Sequence, residues 1–116
     1  MKLRWAAIAA VLGALAVLTG AFGSHGLRHY DEVVRHTWEI AARYHSYHAL
    51  ALFGWGLTGR GGWPAWLWLA GIMLFSGSLY GLALTGFKPL AWVTPVGGSL
   101  WVVAWLAAAG VLWRSR

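Results

Sequence analysis

The sequence has no cysteine, and its 116 residues include only three acidic side chains and three prolines. Without cysteine there are no disulfides, no thiolate metal sites and no cysteine nucleophile, and the redox compartment stays open. No acidic pair faces a cleft, and neither a phosphate-cradling glycine loop nor a GxSxG elbow is present. Ordinary soluble-enzyme chemistry therefore has no foothold, and the chain is expected not to be an enzyme. Charged residues are also scarce, at 10% against 59% hydrophobic, and the mean hydropathy is +0.60. A water-soluble domain of this size needs more polar surface than that. The formal charge of +6 would suggest nucleic acid in a soluble protein. Here Lys and Arg stand at segment ends, where they anchor to anionic headgroups and set topology, so the expected partner is the lipid bilayer and no nucleic acid.

What the chain does have is apolar length. Segments at about residues 3–23, 36–57, 65–85 and 92–113 are each long enough, at about 1.5 Å per residue, to cross a hydrocarbon core of roughly 30 Å. The expected architecture is all-α: one transmembrane domain over residues 1–116, folded as a four-helix up-down bundle. Lys2 and Arg4 precede the first segment as in a signal peptide. Its apolar run exceeds the roughly 7 to 15 residues of a signal core, so a retained helix is expected. The second segment opens at Asp31-Glu32 and runs without a breaker to about Leu57, near 40 Å of helix, so its first turns are expected at the interface. Asp31 with Arg35, and Glu39 with Arg43, are spaced to pair along one face. Pro64 is expected at the first helical position of the third segment. Thr94 is expected to cap the fourth, with Pro95 at its first position. Four crossings put Lys2, Arg4, Arg60, Arg114 and Arg116 on the side of both termini and Arg28, Arg35, Arg43 and Lys88 opposite. That bias favours cytoplasmic termini in a bacterial inner membrane. Trp5, Trp38, Trp63 and Trp113 lie near span ends as interfacial anchors do, whereas Trp68 and Trp101 fall mid-span as packing or lipid-facing bulk.

The polar residues inside these spans are the candidate sites. In FSGSLYG, Phe75 to Gly81, Gly77 and Gly81 have the small-xxx-small spacing that lets helices approach closely, and Ser76 and Tyr80 share an adjacent face. Gly97 and Gly98 offer a second packing seam. Tyr80, a phenol at membrane depth, needs an acceptor beyond its own helix. His48, one turn from Tyr44, offers a ring nitrogen, while His45 and Tyr47 are expected to be structural. The expectation is one hydrogen-bonded cluster of His25, Tyr44, His48, Ser76, Tyr80 and Thr94. Three function classes compete: a non-enzymatic accessory or scaffold protein in a homo-oligomer or larger complex, ranked first; a site binding a small molecule, lipid or proton; and haem or metal held by His25 and His48. Carboxylates to complete a metal shell are missing near either histidine, so no metal site and no cofactor are assigned.

GAFGSHG at the end of the first span, Tyr44 to His48 followed by ALALF, LFSGSLYGLAL in the third span and VTPVGG opening the fourth together resemble the YgdD-like family. These are small four-helix inner-membrane proteins with eukaryotic relatives, catalogued as a domain of unknown function. The resemblance covers essentially the whole chain in matching order. It implies four spans and supplies no activity, cofactor or substrate. The family's pattern falls on Gly20, Gly23, His25, Gly26, Tyr44, His48, Ser76, Gly77, Ser78, Tyr80, Thr94, Pro95, Gly97 and Gly98. His45 stands where relatives can carry glutamine, which by this resemblance argues against it as an indispensable ligand.

Overall fold

A computed structural model describes residues 3–115, and all of its regular structure is helical. Lys2 and Arg116, which the topology argument used, lie outside the described residues. Helix α1 spans Arg4–His25 and α2 spans Glu32–Leu57. A third rod is built from α3 (Gly62–Gly71), one π turn (Ile72–Ser76) and α4 (Gly77–Thr85). A 3-10 turn (Lys88–Trp92) then leads into α5, Thr94–Arg114.

The breaks between rods follow from local chemistry. Asp31 accepts the Val34 amide at 3.0 Å and so caps α2. Among the described residues the expected Asp31–Arg35 pair does not form: Asp31 is turned to the start of the helix, with Oδ1 on the Val34 amide. Glu39 does take Arg43, at 3.4 Å. Gly86 ends α4 in the left-handed region at φ 71°, which a residue with a Cβ adopts only with strain. Pro64 falls in the first turn of α3, two residues later than expected. Thr94 does not cap α5, since its hydroxyl turns instead toward the third rod.

The rods pack antiparallel in sequence order, α1 on α2, α2 on the third rod and the third rod on α5. On α1, the buried face is small: Ala6, Ala9, Leu12 and Ala16. That lets α2 come so close that a Cβ on Gly56 would strike the backbone of Trp5 and Ala6. The main core gathers Leu52, Trp55, Trp68, Ile72, Trp101 and Ala104; a smaller one joins Leu27, Trp38 and Ala83 toward the other end. Trp68 and Trp101 are thus packing residues, and Trp38, expected at the interface, is buried with its indole N–H on the Thr19 carbonyl at 2.6 Å.

Three rods, Arg4–His25, Gly62–Thr85 and Lys88–Arg114, are long and apolar enough to cross a membrane. α2 is not among them: Glu32, Arg35, Glu39 and Arg43 charge its first half. It also sits between α1 and the third rod, so more of its surface meets protein than that of α1, and less of it must be apolar toward lipid.

Candidate functional site

Tyr80 does find an acceptor on another helix, but on His45 rather than His48. The phenol oxygen lies 2.8 Å from His45 Nδ1 and 2.9 Å from Thr19 Oγ1, and His45 Nε2 lies 2.9 Å from the Leu12 carbonyl. A carbonyl can only accept, so Nε2 bears the hydrogen. In the neutral ring Nδ1 is then the acceptor, which makes Tyr80 the donor to it; the Thr19 hydroxyl, also 3.1 Å from the Ala16 carbonyl, shares its one hydrogen between that carbonyl and the phenol oxygen. Three rods are joined through one imidazole.

The buried stripe of α2 explains why His45 is the residue used. Trp38, Ala41, His45, Ala49 and Leu52 recur at helical spacing and are all buried, which aims the imidazole between α1 and α4. Tyr44 and Tyr47 project outward from the same turn and are exposed. That periodicity puts both His45 and His48 on the buried side of α2, so spacing narrowed the polar run to two histidines without choosing between them. Nothing in the sequence near Thr19 marked it as the other partner of Tyr80.

The six expected cluster members are not brought together. His48 turns back on its own helix, donating from Nδ1 to the Tyr44 carbonyl at 2.8 Å, and its ring stacks on Trp101 at 3.7 Å and 3°. Ser76, fully buried in the π turn, donates to the Ala41 carbonyl at 2.8 Å. Thr94 pairs with Ser78 at 2.5 Å, tying the start of α5 to α4. His25 is exposed at the end of α1. The register along α1 sets Leu12 opposite His45, so His25 is displaced from the level of the α2 histidines by about 20 Å at 1.5 Å per residue. His25 and His48 therefore cannot ligate one haem or metal. Among the described residues there is no group of three His, Asp or Glu that could hold a metal ion.

The packing glycines divide in the same way. A Cβ on Gly97 would collide with the backbone of Leu74 and Phe75, as a close seam requires. Gly98 makes only ordinary contact with the Phe75 ring, Gly81 meets the tip of Leu90, and Gly77 is exposed with nothing near it. The seams not foreseen are Gly56 on α1 and Gly71, which makes room for the Trp101 indole.

His45→Gln and His45→Leu separate hydrogen bonding from bulk. Glutamine carries one donor and one acceptor group, so it can serve Leu12 and Tyr80 together. It is expected to keep the thermal midpoint in detergent within a few degrees. Leucine strands the phenol's donor and is expected to cost about 1–2 kcal/mol. Equal loss in both variants would show that imidazole shape, and not the bridge, is what α2 needs.

Residues 19–98 match the family described as "Protein of unknown function (DUF423)". The chain is similar to proteins named UPF0382 membrane protein. That of Staphylococcus aureus (strain bovine RF122 / ET3-1) is 46% identical over 110 residues, covering 83% of this chain and 87% of that protein. The Bacillus subtilis (strain 168) protein is 40% identical over 107 residues, covering 85% and 87%. In Haemophilus influenzae the identity is 35% over 122 residues, covering 100% and 98%. No solved structure matches the chain.

Proposed function

The chain belongs to the DUF423 family, whose relatives are named as membrane proteins, and on that premise we propose that it is a non-enzymatic accessory protein of the bacterial plasma membrane that packs against another membrane protein or a second copy of itself. It crosses four times. α2 lies along α1 from Gly56 against Ala6 to Trp38 against Thr19, so whatever depth α1 traverses, α2 traverses too. Trp5 lies against Gly61, and Arg60 donates to Ser115 at 2.9 Å. These contacts group Arg4, Arg60 and Arg114 at one end, and the positive charge there supports cytoplasmic termini.

The observation that carries the accessory reading is the outer face of the third rod. Trp66, Met73, Gly77 and Leu84 are exposed along one side, and Gly77 has open space where a Cβ would stand. A glycine in a membrane helix costs helix propensity, and a gap on the outer face is useful where another helix comes close. The membrane-depth polar groups support the non-enzymatic half of the proposal. Both nitrogens of His45 and the hydroxyls of Ser76, Ser78 and Thr94 bond within the chain, so they act as fasteners between rods.

Because the native chain has no cysteine, Met73→Cys gives a single reactive site on this face. In native membranes a short thiol-to-amine or thiol-to-thiol cross-linker is expected to give one discrete adduct, lost in Met73→Cys/Gly77→Leu. A folded Met73→Cys protein that yields only lipid-exposed monomer would overturn the proposal.

A further inference from the structure

The outer seam between α1 and α2 carries two cavities that no intrachain contact explains. One, of about 260 Å³, lies toward the end of α1 and is lined by Gly20, Ser24, Arg28, Arg35, Trp38 and Glu39 among others. The second, of about 380 Å³, is almost wholly apolar and is lined by Gly13, Val17, Ser46, Leu50 and Phe53. Their linings continue one another at helical spacing. On α1 the stripe runs Ala10, Gly13, Val17, Gly20, Ser24; on α2 it runs Phe53, Leu50, Ser46, Ala42, Glu39, Arg35. The two cavities thus follow one another along a single α1–α2 seam, a polar one near the start of α2 and an apolar one beyond it.

The charge at the polar cavity is cationic. Arg28 and Arg35 both line it, and neither guanidinium is ion-paired among the described residues. The expected partner of Arg35, Asp31, is held by the cap of α2. The carboxylate that does face this cavity, Glu39, is shared between Arg43 at 3.4 Å and His36 at 3.8 Å on its own helix. Below the guanidiniums the floor is the Trp38 indole and Ala42, followed by Gly20 and Gly13, where a Cβ would meet nothing within 4 Å. From Gly20 to Ala10 the seam extends about 15 Å at 1.5 Å per residue, the thickness of one hydrocarbon leaflet.

From these features we infer that the seam is a binding site for one acidic glycerophospholipid, with its phosphate between Arg28 and Arg35 and an acyl chain laid along Gly20 and Gly13. A planar guanidinium is suited to bidentate phosphate contact, and two unpaired ones at headgroup depth favour an anionic over a zwitterionic lipid. The apolar length is what distinguishes a lipid from free phosphate. This site is lined by α1 and α2, whereas the face proposed for protein contact is on the third rod, and it does not depend on that face.

The test is native mass spectrometry of the full chain titrated with phosphatidylglycerol or phosphatidylcholine of the same acyl chains, with inorganic phosphate as a separate arm. Wild type is expected to retain one phosphatidylglycerol, preferred over phosphatidylcholine by about 30-fold, from two cationic contacts. Arg28→Gln/Arg35→Gln is expected to erase that preference while still holding lipid weakly. Gly13→Leu/Gly20→Leu adds bulk at two positions where the first side-chain carbon meets nothing within 4 Å, and is expected to lose both lipids, with helix content unchanged by circular dichroism. Equal retention of the two lipids by wild type overturns the inference, as does lipid binding indifferent to the glycine pair. Displacement of phosphatidylglycerol by millimolar phosphate, or a phosphate adduct in its place, would also overturn it. If the glycine pair misfolds, the exposed arginine pair decides alone.

Discussion

Trp101→Ala is expected to cost about 3 kcal/mol, the low end of the range for deleting a buried indole, and to produce the largest loss of any single truncation. Trp101 sits where three rods meet. Its ring stacks on His48 from α2 at 3.7 Å, meets Phe75 of the π turn at 4.7 Å, and its N–H donates to the Trp68 carbonyl at 3.2 Å. Gly71 exists without a side chain beneath that indole. In a bilayer the unfolded reference is still surrounded by hydrocarbon, so little of the cost comes from water; it comes from the void and the contacts its lining loses. Alanine also leaves His48 without its stacking partner. Trp101→Phe keeps an aromatic face and loses the hydrogen bond, about 1 kcal/mol, together with the part of the ring that lies over Gly71, so its loss is expected to be smaller than alanine's. Reversible unfolding in detergent, followed by tertiary circular dichroism, measures both. A Trp101→Ala protein no weaker than Trp101→Phe would mean that the rods close over the void and that the junction is not rigid.

Gly97→Ala and Gly77→Ala should move stability in opposite directions, although the two glycines belong to the same sequence pattern. At Gly97 a methyl group meets the backbone of Leu74 and Phe75, and backbone cannot swing aside as a side-chain tip can. α5 would have to lift off the π turn, with an expected loss of about 1–3 kcal/mol. The π turn itself is part of this fit. Its wider ring pushes out one residue's worth of backbone at Ile72–Ser76, where Gly97 approaches and where Ser76 reaches across to Ala41. At Gly77 the methyl meets nothing within 4 Å, and alanine is the better helix former by about 1 kcal/mol. The isolated Gly77→Ala protein is therefore expected to be as stable as wild type or more so. Parallel destabilisation of the two would remove the close approach at Gly97 as an explanation for that glycine.

Membrane residence and helical class were legible because composition alone decides which solvent a surface suits. A chain with 59% hydrophobic and 10% charged residues satisfies its backbone in lipid most simply by helices, and glycine, proline and charge clusters mark where those helices stop. Helix faces were legible less often. The interior stripe of α2 was present in its spacing, yet the run Tyr44 to His48 offers polar groups in every direction, and choosing among them required knowing which neighbours lie on either side. For that reason Tyr80 was expected to meet His48 when it meets His45.

What the sequence by itself determined is the medium, the helical class and the positions of the turns, because those follow from properties of single residues and their near neighbours. Only the tertiary structure decided that His45 joins three rods, that Gly97 packs and Gly77 does not, that Asp31 leaves Arg35 free, and that Gly13 and Gly20 open onto one α1–α2 seam. Each of these depends on the rotation and register of one helix against another. Rotating a helix by a single residue, about 100°, exchanges an inward side chain for an outward one while leaving the composition unchanged.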